Sequence, residues 1–455
     1  MIRLMVLGAA LVGLAACAGP PPVPATRQVP LDVQTRAISS AALFGAPRPY
    51  APERSNAQIA QDILELGFRL ESGREIPHFS RFEGPVALRL AGAIPPLGTV
   101  EIDRLVVRLR SEAGLDIRRV SDAPAQIVVE FVPRAEMRRL VPDASCFVLP
   151  NMSSWDEFRA DPRARRLDWT QVVTREKALV IAPADTTVQE MRDCLQEEVG
   201  QALGPLNDLY RIGETVFNDD NFQTALTGYD MLILRVWNHP SLRPGMPRSE
   251  VAERLPTLLA QLNPRGGRAA ANLPLDPVPT PAAWTTAIEG SLGAANRRQS
   301  FARAQTALRI ALAEGWQDER LAFSLFLAAR FAPPGEGTRA IEALASAAAI
   351  YGARPGGAVP RAHVDLHLAA QALAAGQHDL VLRLTESAIT PARRSENGAL
   401  LSSLMLMRAE ALQRTGRAGM AEQLRRDAVP YAIFGFGSRR AAENRRDEIA
   451  ALIQQ

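Results

Sequence analysis

Apolar residues recur at helical spacing from Ile59 through Ile63, Leu64, Leu66 and Phe68, with Ser55 placed as N-cap, and this predicts a helix opening after Ser55. Val86-Ala87-Leu88-Arg89-Leu90 alternates like a strand. Residues 100–111 carry Ile102, Leu105, Val106 and Leu109 on one helical face, ended by Gly114. Residues 115–120, 125–132, 144–149 and 178–181 read as short apolar strands. The best-marked helix spans 187–203. Thr187-Val188-Gln189-Glu190 opens it as a capping box, Val188, Met191, Leu195, Val199, Ala202 and Leu203 form its stripe, and Gly204-Pro205 stops it. A loop rich in Asn and Asp follows to about Gln223, then helices over 228–237 and from Met246 to about Leu262. The mixture predicts an α/β domain over residues 51–262.

Prolines and glycines crowd residues 263–282 and mark a linker. Beyond it, residues 283–455 are rich in Ala, Leu, Arg and Glu and read as successive amphipathic helices with turns at Gly315, Gly335, Gly352, Gly376 and Gly416. The segments 368–376 and 407–416 are alike, and their turn glycines lie 40 residues apart. This predicts a tetratricopeptide-like solenoid of about three helical hairpins. The expected fold class is therefore α+β, a mixed domain followed by an all-α one. The aromatic, glycine-rich segment 431–437 reads as a closing cap or a docking spot.

The N-terminus changes the picture. Arg3 precedes an apolar run from Leu4 to Ala16 that is too short to span a bilayer, and residues 1–16 read as a secretory signal. Leu14-Ala15-Ala16-Cys17 resembles the lipobox of bacterial lipoproteins, so Cys17 is the expected lipidation site and residues 17–50, rich in proline, the tether. Ala18 after the lipidated cysteine resembles the sorting signal for the outer membrane, so a cell-envelope protein facing the periplasm is expected. With Cys17 acylated, Cys146 and Cys194 remain in an oxidising compartment, and a Cys146–Cys194 disulfide is predicted. The 455 residues are 47% hydrophobic and 22% charged, which excludes a disordered chain. One lysine (Lys177) stands among 52 basic residues, so the basic side is almost all arginine. A net charge of +3 over this length is too dilute for a nucleic-acid footprint, and no nucleic-acid partner is expected.

The candidate chemistry lies on the helix 187–203. Its end and the following turn read Glu197-Glu198-x-x-Gln201-x-x-Gly204-x-x-Asn207. The zinc-peptidase pattern places His at the first, fifth and eleventh positions and Glu at the second, because i, i+4 spacing lets two side chains grip one ion while the Glu acts as base. The spacing resembles a metzincin-type domain whose metal site has decayed, with Glu197, Gln201 and Asn207 at ligand positions, Glu198 at that of the base, and Met231 as the methionine below the site. Neutral amides are poor zinc ligands. Two alternatives stay open: a hard-cation site using Glu197, Asp208, Asp219 and Asp220, and an ordinary helix with a solvated acidic face. No metal and no cofactor is assigned.

Residues 55–262 resemble the bacterial lipoproteins grouped as domain of unknown function 2927. The matching segments include Leu70-Glu71-Ser72-Gly73, Ser80-Arg81-Phe82-Glu83-Gly84-Pro85, 193–198, 201–208, Val216-Phe217-Asn218-Asp219-Asp220-Asn221-Phe222 and 226–230. The resemblance implies a secreted, lipid-anchored domain and transfers no catalytic residues. His363-Val364-Asp365-Leu366-His367 has metal-pair spacing, but packing or solvated histidines are the expected reading. The expected function is that of a lipid-anchored, non-catalytic binding or scaffolding protein: the membrane through its lipid, and envelope proteins or peptides through the helical domain. The alternative is an envelope hydrolase using Glu198 with a nonstandard metal site.

Overall fold

The computed structural model describes residues 38–46, 49–142, 144–267 and 279–452. Cys17, the signal segment and most of the tether lie outside the described residues.

The chain begins with helix α1 (Ser40–Phe44), α2 (Asn56–Phe68), strand β1 (Arg81–Phe82), β2 (Val86–Gly92), α3 (Gly98–Glu112), β3 (Ile117–Arg119), β4 (Ile127–Val132), α4 (Arg134–Leu140), β5 (Phe147–Pro150) and α5 (Trp155–Ala160). It continues with β6 (Thr174–Arg175), β7 (Ala178–Pro183), α6 (Val188–Leu203), α7 (Gly228–Trp237) and α8 (Arg248–Leu262). Five strands form one sheet in the order β3-β2-β4-β7-β5. Its neighbours run parallel except β5, which pairs antiparallel with β7 at one edge. The central strands β4 and β7 are buried on both faces, which is why Ile127-Val128-Val129-Glu130-Phe131-Val132 is a nearly continuous apolar run. Ile127, Val129 and Phe131 join the main core beneath α2, α3, α6, α7 and α8. Val128 and Val132 face a second cluster with Met137, Trp155 and Phe158 on α4 and α5.

The helical region follows as α9 (Ala282–Leu292), α10 (Arg297–Ala313), α11 (Glu319–Arg330), α12 (Gly337–Gly352), α13 (Ala358–Ala374), α14 (His378–Arg394), α15 (Gly398–Arg414), α16 (Ala418–Phe436) and α17 (Arg439–Ala451). Each helix packs on the next, and α13 also meets α15, and α15 meets α17, so the hairpins stack. The whole is α+β, as the sequence pattern predicts. The turn expected at Gly352 falls four residues later, where Gly356 takes the left-handed conformation (φ 73°) and Gly352 ends α12. Among the described residues no helix is long and apolar enough to cross a membrane.

Three features differ from the sequence reading. The end of the expected tether carries α1, which is docked: Phe44 packs on Tyr431 and Phe434, and Ser40 donates to Glu101. The aromatic segment 431–437 lies in α16 apart from its last residue and is occupied by these contacts, with Gly435 against the Ala399 backbone. The linker at 263–282 does not divide the cores cleanly either. Tyr210 and Phe222, from the loop after α6, belong to the cluster built by α9, α11 and α12.

Polar contacts tie the same two parts together. Glu396, between α14 and α15, holds a left-handed backbone (φ 56°) uncommon outside glycine. Arg104 of α3 forks onto its carboxylate at 2.6 Å on both oxygens, and Arg192 of α6 reaches its Oε2 at 3.2 Å and its carbonyl at 3.1 Å. These arginines hold the Glu396 carboxyl below the ordinary carboxylate range even though burial acts to raise it.

Candidate functional site

Helix α6 begins where the sequence predicts. Thr187 accepts from the Glu190 amide. The return half of the predicted capping box is not made, because the Glu190 carboxylate is taken by Arg134 and by the Thr186 hydroxyl. The disulfide Cys146–Cys194 joins the residue before β5 to the middle of α6, with Cα atoms 5.9 Å apart, as predicted. Arg175 of β6 closes the other end. Its guanidinium is buried and donates to the carbonyls of Gln201 and Ala202 at 2.7 Å and of Gly204 at 2.6 Å. A cation on the orphan carbonyls of a helix C-terminus also complements its dipole. Burial lowers the Arg175 guanidinium to about 9. Neither Arg175 nor its role was legible from spacing.

The helix ends by threading between large side chains. A Cβ on Gly200 would stand 3.0 Å from the Phe217 ring, and one on Gly204 would stand 2.7 Å from Leu234 Cδ2. Gly200 therefore lets the 205–227 loop fold back against α6 and bring its acids alongside, and Gly204 lets α7 close on the helix end.

The positions singled out from the sequence separate into distinct environments. Gln201 donates through Nε2 to Asp208 Oδ2 at 3.3 Å. Asn207 is buried and turned the other way, its Nδ2 donating to the Glu65 carbonyl at 3.1 Å. Met231 is buried in the main core on α7. Glu197 is half-buried, while Glu198 is only 5% exposed and its Oε2 has no hydrogen-bond partner among the described residues. Asp219 accepts from the Tyr210 hydroxyl at 3.5 Å. Asp220 is used within its own turn, accepting from the Phe222 amide and from Asn218 Nδ2, each at 2.9 Å.

A residue outside the spacing pattern completes the group. Glu71, in the turn after α2, brings a carboxylate oxygen to within 4.8 Å of oxygens of both Asp208 and Asp219. Glu71 is exposed at the rim, and Asp208 and Asp219 are half-buried behind it. Burial and mutual repulsion raise this whole group. Burial, then the charges of Glu198, Asp219 and Glu71, push the Glu197 carboxyl well above the usual carboxylate range. Burial, then Glu71 and Asp219, do the same to Glu198. Burial, then Asp219, Glu71 and Glu197, raise Asp208. Burial, then Glu71 and Glu289 of α9, push Asp219 up to about 7. Sequence reasoning found Asp208 and Asp219 but missed Glu71, because it lies far upstream on another element.

The histidine pair stands elsewhere. His363 stacks on Phe222 with ring centroids 4.5 Å apart, and His367 meets Phe326 edge-on at 5.2 Å, so both pack within the helical region. The arrangement as a whole can do two things chemically: hold protons at neutral pH, or hold a cation.

No curated protein and no solved structure gives a significant match to the chain. Residues 56–257, from the start of α2 into α8, match the family model described as Protein of unknown function (DUF2927).

Proposed function

We propose that this is a lipid-anchored envelope protein that binds or scaffolds rather than catalyses, with a metzincin-like domain whose zinc site has been lost. The observation that carries this reading is the fate of the ligand positions. Gln201 spends its amide on Asp208, Asn207 spends its own on the Glu65 carbonyl, and no imidazole stands at 197, 201 or 207. Zinc requires imidazole, thiolate or carboxylate donors converging on one point. The frame around those positions supports the ancestry: a five-stranded sheet with one antiparallel edge strand, and a helix that turns at Gly204. Anchorage rests on the signal run and Cys17, and the stacked hairpins supply the binding surface.

Two measurements test the reading. The full-length chain is expected to sediment with membranes and to carry acyl chains by mass spectrometry, with Cys17→Ser released to the soluble fraction. The purified protein is expected to leave a peptide library uncut, with or without zinc. A second reading, hydrolysis with Glu198 as general base, draws on the raised Glu198 carboxyl, whose Oε2 has no hydrogen-bond partner among the described residues. Zinc-dependent cleavage that disappears in Glu198→Gln would establish that reading and overturn the first.

A further inference from the structure

Several buried carboxylates of this chain are held by arginines, and others, Glu101, Glu214 and Asp230, by hydrogen bonds from backbone amides and hydroxyls. Asp62 is fully buried and is held by Arg54 and Arg211; Glu112 is held by Arg108; Glu396 by Arg104 and Arg192. Among the described residues, none of Glu71, Glu197, Glu198, Asp208 and Asp219 makes an ion pair. The charges that act on Glu71, Glu198 and Asp219 are other carboxylates only.

Two observations bear independently on what fills the gap. The first is geometric: one oxygen each from Glu71, Asp208 and Asp219 lies within 4.8 Å of the other two. Calcium takes oxygen ligands at roughly 2.3–2.6 Å, so oxygens up to about twice that distance apart can share one ion with little adjustment. The second is Glu198. Gln201 reaches Asp208 from α6, and Glu198, three residues earlier, lies on the same helix face. Its Oε2 is shielded from water and has no hydrogen-bond partner among the described residues, and its charged neighbours are Glu71 and Asp219. Asp208 Oδ1 is likewise shielded, with no hydrogen-bond partner among the described residues. A buried carboxylate oxygen without a partner is costly unless a cation or a proton meets it.

We propose that Glu71, Asp208 and Asp219 bind a hard divalent cation, calcium by preference, with Glu198 as a further carboxylate from α6. Calcium is favoured over zinc because every donor is a carboxylate, and over magnesium because donors from a turn, a loop and a helix suit its flexible coordination better than a strict octahedron. The ion staples the turn after α2 to the 205–227 loop. Tyr210, bonded to Asp219, packs its ring on Trp284 of α9 with centroids 5.0 Å apart, so the ion also steadies the junction with the helical region. This goes beyond the anchoring and binding reading and does not rest on it.

Tyr210 supplies the test, because a tyrosine beside a bound lanthanide sensitises it. The full-length chain, in detergent and stripped of metal, is titrated with terbium chloride under tyrosine and tryptophan excitation and then with calcium chloride. The expected result is terbium luminescence that calcium abolishes by competition, and a calcium-dependent rise in Tm of roughly 2–4 °C that sodium chloride at equal ionic strength does not reproduce. Asp208→Asn and Asp219→Asn are expected to weaken terbium binding at least about tenfold, and Asp122→Asn, at an exposed acid away from the site, to leave it unchanged. The Tm readout uses the wild type alone and stands even where a variant fails to fold. If the carboxylates merely share protons, calcium leaves the wild-type Tm unmoved and the asparagine variants are more stable without it. That result, or luminescence untouched in both variants, overturns the proposal.

Discussion

His363 and His367 stand one turn apart on α13, at a spacing that suits a metal pair, but each ring is spent on an aromatic contact. Burial, reinforced for His363 by nearby Arg330, holds His363 down to about 4. Burial, with Arg330, Arg445, His363 and Arg297 adding to it, holds His367 down to about 3. In the unfolded chain a histidine takes up its proton near 6.5. Between that value and about 4 the unfolded state therefore binds more protons than the folded one, and stability is lost as pH falls through this window. His363 alone accounts for roughly 3 kcal/mol across it. We expect His363→Phe, which keeps a ring against Phe222, to flatten the decline in the denaturation midpoint between neutral and mildly acidic pH. An unchanged slope in that variant would show that the acid sensitivity arises elsewhere.

At the scale of the element, α6 is specified twice over. Its N-terminus is legible in the sequence because capping is local: Thr187 and Glu190 are three residues apart, and the hydroxyl meets the amide as expected. Its C-terminus is legible only as a stop, at Gly204. What completes that end is Arg175, which arrives from β6 and satisfies three carbonyls at once. The same contrast runs through the domain. The strands β2, β4 and β7 and the helices α2, α3, α7 and α8 carry strong periodicity and fall where the pattern predicts. The short helices α4 and α5 do not, since each buries only two residues against the far face of the sheet. Replacing Arg175 by Met keeps much of the apolar stem but leaves buried carbonyls unpaired, at roughly 1–3 kcal/mol for each group stranded. We expect Arg175→Met to lower stability by about 3 kcal/mol or more in urea denaturation. A loss under about 1 kcal/mol would mean that the carbonyls find other donors.

At the scale of the whole molecule, the candidate site and the junction between the two parts are built by one loop. Residues 205–227 supply Asp208 and Asp219 to the acidic group, Thr224 to the Ser395 carbonyl, and Tyr210 and Phe222 to the helical core. The sequence shows this loop as rich in Asn and Asp and marks a linker further on, because composition reports where backbone turns, not which distant faces a loop joins. Glu71 escaped for the same reason, its partners being known only once the turn after α2 lies beside the 205–227 loop. Phe222 makes the point testable. Its ring meets Phe323, Phe326, Tyr351 and His363, so it is a knob from the mixed domain in a hole of the helical one. Burying a phenylalanine this way contributes roughly 3–5 kcal/mol, and here all of it couples the two parts. We expect the wild type to melt in one calorimetric transition, with equal calorimetric and van't Hoff enthalpies. Phe222→Ala should split it in two, the helical region melting first because it loses the occupant of its own core while the main core keeps its side chains. Two transitions already present in the wild type would show that the two parts are not coupled, and one retained in Phe222→Ala with only a lowered midpoint would show that the coupling runs through the Glu396 clamp instead. Arg104→Ala would then be the variant that separates the two parts.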